Sequence, residues 1–416
     1  MMNKNLFEIK KCEVCENTEL NSVLNLGLHP MCDDLVPMGQ ARFCKEYPIE
    51  ILYCAQCFTA HQRFQISKDE LFPSTYHYRS RFTADVLSGM QGLVKDCVNR
   101  FGDLTGKKIL DVGCNDGSLL DYFKESGAST IGVEPTGAYV DALKKGHKIF
   151  NDYLSKKVAK NIVNEFGKPD FITFTNVFAH IENLADVLEC LKILIGPKTI
   201  LIIENHYLGS VLDFNQFDTF YHEHPRTYSY TSFMYMADRL GVKMIGAEFP
   251  SRYGGNIRVM MGSAQPKDFI YDSVDLSEIV ASEANFFYRF RALDKNIKSW
   301  QVAKKQLITN IIQEQGPLVA KAFPGRAAIL IKMLDLDESH ITGVYEKPGS
   351  KKIGHYLPGT RIPIHSDEEL FSGGHQGAIL NLAWHISGEI RTYLSSHGFN
   401  RSVIDILSPT DFQLRE

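Results

Sequence analysis

The stretch KKILDVGCNDGSLL, residues 107–120, decides the fold of this chain. Its apolar run at 109–112 is followed by a turn that contains Gly113 and Gly117, and a helical pattern begins after the second glycine. Glycine allows positive φ angles and lets the backbone approach a ligand closely. The stretch therefore predicts a strand, a tight turn and a helix, with a ligand site at the carboxyl end of the strand.

Further apolar runs repeat this unit along the chain. STIGVE, FITFTNV and TILIIEN are bounded by turn residues, and segments of helical period such as SLLDYFKES and AYVDALKK separate them. This alternation predicts a parallel sheet with crossover helices. A long helical stretch at 276–315 then precedes AAILIKM, ITGVYE, AILNLAW and SVIDILSP, which we interpret as strands of a second, smaller α/β unit with a helix at ISGEIRTYLSSHG. We place domains at 1–80, 81–265 and 266–416.

The overall composition is that of an ordinary globular protein. The 416 residues are 44% apolar and 23% charged, with a net charge of −4. This balance gives no electrostatic footprint for nucleic acid or an anionic membrane. The first fifteen residues lack the apolar core of a signal peptide, and no apolar stretch approaches the length of a membrane span. We therefore expect a cytoplasmic protein, and the nine cysteines are expected to be reduced thiols.

Two C-x-x-C motifs lie in the first domain. They supply four thiolates, as a closed tetrahedral zinc site requires, and the ligands would be Cys12, Cys15, Cys54 and Cys57. The alternatives are unrelated thiol pairs or a redox pair, but a redox C-x-x-C usually opens a helix after a strand. The motifs therefore predict a structural Zn²⁺ site.

The glycine turn and the next strand together indicate a nucleoside site. Glu134 ends the run 131–134, 23 residues after Asp111, and an acid at that position can accept both hydroxyls of an adenosine ribose. The spacing suits nicotinamide and S-adenosylmethionine enzymes alike. The acidic turn and the missing G-x-G-x-x-G favour S-adenosylmethionine. Asn176 and His180 follow a later strand and are expected at the same edge of the sheet, although His180 could also be a helix-capping or core histidine.

The stretch FYHEHPRTYSY, residues 220–230, is dense in titratable groups. It allows a metal site, an acid–base site or an ordinary polar loop. His222 and His224 would share a face of a strand, but no third ligand follows, and Arg226 stands where an H-E-x-x-H motif needs its second histidine. An acid–base site is the favoured interpretation, because a histidine transfers protons near neutral pH and a tyrosine hydroxyl can stabilise a developing enolate.

Several of these motifs together resemble a known family. The paired C-x-x-C with LNLGLHPMCDDL between them, LDVGCNDGSLL, IGVEPT, FDTFYHEHPRTYS, RYGGNIRV and GHYLPGTRIPI are similar to the S-adenosylmethionine-dependent C-methyltransferases that make branched-chain deoxysugars on nucleotide carriers. The resemblance runs through nearly the whole chain. It implies an α/β fold with an amino-terminal zinc-binding domain, a class I methyltransferase Rossmann-like sheet and a carboxyl-terminal Rossmann-like domain.

The resemblance also implies roles for individual residues. His224 would be the base, with Glu223 and Tyr221 assisting and His180 and Tyr76 completing the catalytic pocket. Tyr78 could exchange roles with Tyr76, while Arg258 and Lys352 would contact carrier phosphates. The methyl donor would be held by Asp111, Gly113, Asn115, Gly117, Glu134 and Asn176.

The implied reaction is methylation of a carbon next to a keto group, at C3 of a nucleotide-linked 4-keto-6-deoxy sugar, by a monomer or weak homodimer. The chain departs from the family in FPGRAAILIKML, where a glycine-rich turn is usual, and in the PRTY that follows His224. O- or N-methylation of a sugar or other small polar metabolite is therefore the alternative reaction. A zinc-containing scaffold without catalysis is the non-enzymatic alternative.

Overall fold

The computed structural model describes residues 6–72, 79–82, 84–263 and 276–412. The chain forms two compact units. Unit 1 comprises Met1–Asn21, Leu52–Ser210 and Glu223–Phe287, and unit 2 comprises Ser22–Ile51, Val211–His222 and Tyr288–Glu416. No helix in the described ranges is both long and apolar enough to cross a membrane.

The strands of the described residues are β1 (Leu6–Glu8), β2 (Asn21–Pro30), β3 (Val36–Pro37), β4 (Glu46–Cys54), β5 (Thr59–Gln62), β6 (Phe64–Ile66), β7 (Lys108–Val112), β8 (Ser129–Val133), β9 (Lys148–Phe150), β10 (Phe171–Thr175), β11 (Ile200–His206), β12 (Arg226–Thr227), β13 (Lys243–Glu248), β14 (Asn256–Gly262), β15 (Leu318–Lys321), β16 (Ile341–Glu346), β17 (His355–Tyr356), β18 (Ile364–Ser366), β19 (Ile379–Asn381) and β20 (Val403–Asp405).

The α-helices in the same ranges are α1 (Lys68–Leu71), α2 (Ala84–Phe101), α3 (Ser118–Glu125), α4 (Tyr139–Lys144), α5 (Lys156–Phe166), α6 (Leu184–Leu194), α7 (Leu208–Asp213), α8 (Tyr230–Leu240), α9 (Leu276–Glu283), α10 (Phe286–Gln315), α11 (Ala327–Met333), α12 (Asp367–Ser372) and α13 (Ser387–Ser396).

A seven-stranded sheet forms the centre of unit 1, in the order β13-β14-β11-β10-β7-β8-β9. Strands β7 to β11 are parallel to one another, and β14 and β13 add an antiparallel edge beside β11. Apolar side chains such as Leu110, Ile131 and Phe174 are completely buried, as expected of strands covered on both faces. Each contributes roughly 1.5–3 kcal/mol of burial free energy. The predicted parallel sheet is confirmed.

Smaller ladders complete unit 1 around the cysteine motifs. Strand β1 pairs with β6, and β5 pairs with β12, both antiparallel. Strand β12 begins shortly after the YHEH sequence. Its pairing with β5 therefore fixes the position of the chain at the end of that sequence.

Unit 2 is built on a parallel five-stranded sheet in the order β18-β16-β15-β19-β20. Numbered along the chain this is 3-2-1-4-5, a Rossmann-like order whose direction reverses between β15 and β19. Its core contains Val319, Ile379, Ile390 and Leu394. The predicted second α/β unit is therefore confirmed.

Two elements differ from the prediction. AAILIKM was predicted to be a strand but is helix α11, a crossover helix that follows β15 and whose apolar residues are buried. A short apolar run has the same pattern in a buried strand and in a buried helix, so the sequence does not distinguish them. The long helix expected at 276–315 is two helices, α9 and α10. The first ends at Glu283, whose carboxylate accepts the backbone N–H groups of Tyr230 and Thr231 at the start of α8.

Candidate active site

Four thiols converge in unit 1. Their Sγ atoms all lie within 4.8 Å of one another, and three of the four residues are buried: Cys12, Cys15, Cys54 and Cys57. The Sγ atoms of Cys12 and Cys57 are 3.4 Å apart, and those of Cys15 and Cys54 are 3.5 Å apart. Tetrahedral Zn–S bonds of about 2.3 Å place sulfurs roughly 3.8 Å apart. The four thiols therefore fit a structural zinc ion, as predicted.

The turn after β7 requires both of its glycines. Gly113 has a φ of 74°, and a Cβ there would lie 2.6 Å from a methyl carbon of Val177. Gly117 has a φ of 76°, and a Cβ there would lie 2.9 Å from the Cβ of Ala142. The backbone thus forms a close cradle at the carboxyl edge of the sheet, which fits a nucleoside ligand.

Glu134 lies buried just beyond the end of β8 and reaches this turn. Its Oε2 accepts the Asn115 N–H at 2.9 Å, and its Oε1 accepts the Thr136 N–H at 2.8 Å. These charge-assisted bonds fix the carboxylate beside the glycine cradle. An acid in this place fits the hydroxyls of an adenosine ribose.

Asp111 is a second buried acid at the carboxyl end of the parallel strands. Burial raises the pKa of its carboxyl to about 7, the Thr173 hydroxyl opposes this shift by donating at 2.7 Å, and the Glu134 carboxylate adds to it. Asp111 is therefore largely protonated below neutral pH, while nearby Glu134 is held by hydrogen bonds from backbone donors.

The turn also binds the chain segment that enters α2. The Asn115 Oδ1 accepts the Ser80 N–H at 3.1 Å, and the Asp116 Oδ2 accepts the Arg81 N–H at 3.1 Å. The Asn115 side chain, expected to face the methyl donor, thus holds residue 80. Tyr76 and Tyr78, the predicted pocket tyrosines, lie outside the described residues.

Asn176 lies at the predicted edge, directly after β10. Its φ is 55°, its N–H donates to the Glu204 carbonyl at 2.8 Å, and its Oδ1 accepts from Asn256 Nδ2 at 3.3 Å. Asn176 thus links the ends of β10, β11 and β14. The neighbouring Glu204 carboxylate is fully buried and pairs with Arg252 and Arg258.

The division between the two units falls inside the Tyr-His-Glu-His sequence, between His222 and Glu223. In unit 1, Glu223 and His224 are buried, and two other imidazoles flank the His224 ring. The ring centroid of His180 lies 4.7 Å away, and that of His206 lies 5.4 Å away. Three imidazoles therefore meet at the carboxyl edge of the sheet.

The hydrogen bond of His180 defines its tautomer. Its Nδ1 lies 2.7 Å from the Glu223 carbonyl oxygen, and because a carbonyl only accepts, Nδ1 carries the proton. Burial lowers the pKa of His180, although the bond to the Glu223 carbonyl opposes the shift. The lowered pKa of His180 favours the neutral imidazole, and a backbone hydrogen bond with Asn176 also opposes the shift.

In unit 2, residues 221 and 222 are not in a strand. His222 is buried and donates from Nε2 to the Tyr47 carbonyl at 3.2 Å, and burial lowers its pKa to about 4. Tyr221 is half-buried. Within the part of the chain that the structure describes, the group of three or more His, Cys, Asp or Glu side chains suited to a metal is that of the four cysteines.

Asp218 anchors the start of the same stretch in unit 2. Its buried carboxylate accepts from Arg326 Nε at 2.7 Å, from Arg326 Nη2 at 2.9 Å and from Trp384 Nε1 at 2.9 Å. Arg326 follows β15 and Trp384 follows β19, so Asp218 lies at the point where the strand order of this sheet reverses. The altered turn FPGRAA contributes Arg326 to this contact.

Two predicted carrier-binding residues are engaged within the fold. Arg258 is buried and pairs through Nε with Glu204 at 2.8 Å, and through Nη1 with Asp96 at 2.8 Å and Glu248 at 3.0 Å. Lys352 is half-buried, and its Nζ donates to the Phe323 carbonyl at 2.6 Å.

Sequence reasoning missed His206 and the role of Arg226. His206 ends the apolar run TILIIEN one residue beyond the quoted motif, so the rule that ligands bind at the carboxyl ends of parallel strands could have identified it. In the sequence Arg226 stands out only as the residue that breaks a metal motif, because its partner Glu13 is more than two hundred positions away.

Three family models match consecutive parts of the chain. A zinc binding domain matches residues 12–72, a methyltransferase domain matches residues 86–246, and a C-methyltransferase C-terminal domain matches residues 251–400. Together with the sheet order and the glycine cradle, these matches define an S-adenosylmethionine-dependent methyltransferase.

Individual relatives refine this assignment. The chain is 25% identical to C-methyltransferase NovU of Streptomyces niveus over 412 residues, which cover 96% of each protein. It is 30% identical over 107 residues to the mitochondrial ubiquinone biosynthesis O-methyltransferase of Rattus norvegicus, covering 24% of this chain and 31% of that enzyme. The chain thus carries, in this order, the zinc-binding, methyltransferase and C-methyltransferase C-terminal domains, and it is similar to NovU along nearly its whole length.

A solved structure shows a weaker likeness. Magnesium protoporphyrin IX methyltransferase from Synechocystis PCC 6803 with bound SAH is 17% identical, covers 43% of this chain and 84% of its own, and has a TM-score of 0.34. A likeness of this size adds nothing to the assignment.

Proposed function

We propose that the enzyme methylates the carbon alpha to a keto group, at C3 of a nucleotide-linked 4-keto-6-deoxy sugar, through an enolate. The observation that carries this proposal is the meeting of His224, His180 and His206 beside the glycine cradle of the methyl-donor sheet. Methyl transfer to carbon needs a base at that place, because the acceptor carbon must first lose a proton. S-adenosylmethionine, when bound, supplies a methyl group on an electrophilic sulfonium.

His224 is the proposed base. Its burial among other imidazoles removes it from bulk water. A neutral imidazole is suited to abstract a proton near pH 7. Glu223 orients the stretch, since its backbone carbonyl holds the Nδ1 proton of His180. The Tyr221 and Tyr76 hydroxyls are proposed donors to the enolate oxygen.

The acceptor class is proposed from likeness to known enzymes. NovU is a C-methyltransferase, and the quoted motifs resemble enzymes acting on nucleotide-linked deoxysugars. Carrier phosphates would bind Arg258 and Lys352 only if these side chains leave their present partners. The domain limits 1–80, 81–265 and 266–416, the cytoplasmic location and the monomer or weak homodimer also stay predictions.

O-methylation is the second candidate. The base that removes an alpha proton can also deprotonate a hydroxyl, and the replacement of the family's glycine-rich turn by FPGRAA favours a different acceptor surface in unit 2.

Hydrogen exchange tests the proposed base. The wild-type enzyme, given the keto sugar and S-adenosylhomocysteine in heavy water, should exchange the alpha hydrogen for deuterium without methylation. His224→Asn should abolish this exchange and lower turnover by about 10²–10⁴-fold, the usual range for general acid–base catalysis. Binding of S-adenosylmethionine should change little. If His224→Asn still exchanges while His180→Asn does not, the base is His180.

A further inference from the structure

The chain that leaves His224 joins the strand that follows the second cysteine motif. Arg226 in β12 is paired opposite His61 in β5, and the Gln62 N–H donates to the Pro225 carbonyl at 2.8 Å. His61 in turn lies with Nε2 3.3 Å from the Sγ of Cys12. Strand β5 therefore lies between the proposed base and a zinc ligand.

An ion pair between the buried Arg226 and the half-buried Glu13 reinforces this connection. Arg226 is completely buried, and its Nη1 lies 2.7 Å from the Oε2 of Glu13, the residue that follows Cys12 in the first motif. The same oxygen accepts from Gln65 Nε2 at 2.7 Å. On its other side, Arg226 Nε donates to the Tyr228 hydroxyl at 3.0 Å.

The second cysteine motif holds the chain a few residues later. The Cys57 carbonyl accepts the Ser229 hydroxyl at 3.1 Å and the Ser232 hydroxyl at 3.2 Å. These two serines form the capping box that begins α8. Both knuckles of the zinc site thus contact the chain just after the base, at 226 and at 229–232.

We propose that Arg226 and Glu13 are positioning residues through which the zinc site sets the place of the His224 imidazole. The proposal rests on the proposed function for the role of His224. Two residues span at most about 7 Å, so fixing Arg226 leaves His224 little freedom. The zinc ion, held by the four thiols, would keep Glu13 in its place, and Glu13 holds Arg226.

The energetic basis is the desolvation of the arginine. A buried charge that loses its partner is strongly unfavourable, so the Arg226 guanidinium and the Glu13 carboxylate remain together as long as the knuckle is intact. A base displaced by about 1 Å can lower turnover by about 10²-fold. Loss of the ion pair should therefore act on catalysis without any contact between Arg226 and the substrate.

Three variants test this inference: Arg226→Met, Glu13→Gln and the double substitution. The matched control is Arg239→Met, because Arg239 on α8 donates to the Glu13 and Val14 carbonyls of the same knuckle but lies far along the sequence from His224. Each protein is assayed for zinc content, S-adenosylmethionine affinity, kcat and KM, and amide hydrogen exchange of the peptide that covers 221–227.

The expected result is a folded, zinc-loaded Arg226→Met or Glu13→Gln with unchanged methyl-donor affinity. The rate of amide exchange at 221–227 should rise at least about tenfold. The value of kcat should fall on the order of 10²-fold, as a misplaced base implies, and KM should change little. The double variant should resemble Arg226→Met, since the two residues act together. Arg239→Met should leave exchange at 221–227 and kcat as in the wild type.

Unchanged exchange at 221–227 in folded Arg226→Met would overturn the inference. So would equal effects of Arg226→Met and Arg239→Met, because the contact would then be one of general stability. If Arg226→Met does not fold, Glu13→Gln, whose side chain still accepts a hydrogen bond, decides by the same two measurements. The exchange readout needs no acceptor, so failure of the proposed reaction would leave it standing as a separate result.

Discussion

At the scale of the residue, the site combines buried acids in opposite settings. Glu134 accepts backbone N–H groups, whereas Asp111 is buried with one hydroxyl donor and the Glu134 carboxylate nearby. The setting of Asp111 favours the protonated carboxyl. Both acids follow from the motif, but the raised pKa of Asp111 depends on its burial and on neighbours from other strands.

The raised pKa of Asp111 makes stability depend on pH. Between its usual value and about 7 the unfolded chain releases this proton while the native protein keeps it, so this residue's contribution to stability falls as pH rises. Asp111→Asn mimics the protonated form. The free energy of unfolding of the variant relative to wild type should therefore increase by about 2–3 kcal/mol from pH 5 to pH 8, measured by urea unfolding without ligand. A pH-independent difference would contradict the raised pKa.

Glu134→Ala removes the proposed ribose acceptor. The loss of two charge-assisted hydrogen bonds should weaken S-adenosylmethionine binding by roughly 2–3 kcal/mol in calorimetry. Asp121→Ala on α3, whose carboxylate pairs with Lys145 and His147, is the control and should bind normally. Wild-type affinity in Glu134→Ala would show that Glu134 is not in the donor site.

At the scale of the element, the success of sequence reasoning depended on burial. The strands that contain Leu110, Ile131 and Phe174 were predictable because a parallel sheet is covered on both faces and needs short apolar runs. The same rule wrongly predicted a strand at α11, because consecutive residues of this helix are buried on all of its sides. The break between α9 and α10 could not be predicted, because Glu283 is fixed by the first turn of α8, about fifty positions earlier.

The zinc knuckles give a prediction at this scale. Cys54→Ser removes one of four thiolates, and the metal and the folding free energy that it supplies should both be lost. We expect about one zinc per wild-type chain by metal analysis, and a lower yield and urea midpoint for Cys54→Ser, with methyl-donor affinity changed much less in the protein that folds. A folded wild-type protein without metal would exclude the site.

At the scale of the whole molecule, the residues that sequence reasoning missed are those with distant partners. His224 was found because its neighbours in sequence are unusual. The contact of His206 with His224 and the pair of Arg226 with Glu13 become visible only when β11, β12 and the first cysteine motif are brought together in unit 1, although the place of His206 at the end of its strand follows from the sequence. Asp218 and Arg326 in unit 2 follow the same pattern.

The position of the transferred methyl group tests the central claim most directly. The enzyme is incubated with S-adenosylmethionine labelled with ¹³C in its methyl group and a nucleotide-linked 4-keto-6-deoxy sugar, and the product is examined by NMR. C-methylation predicts a labelled methyl bonded to C3 that survives acid hydrolysis as part of a branched sugar. A labelled methyl bonded to oxygen or nitrogen would contradict the claim, and the buried imidazoles would then be deprotonating a heteroatom.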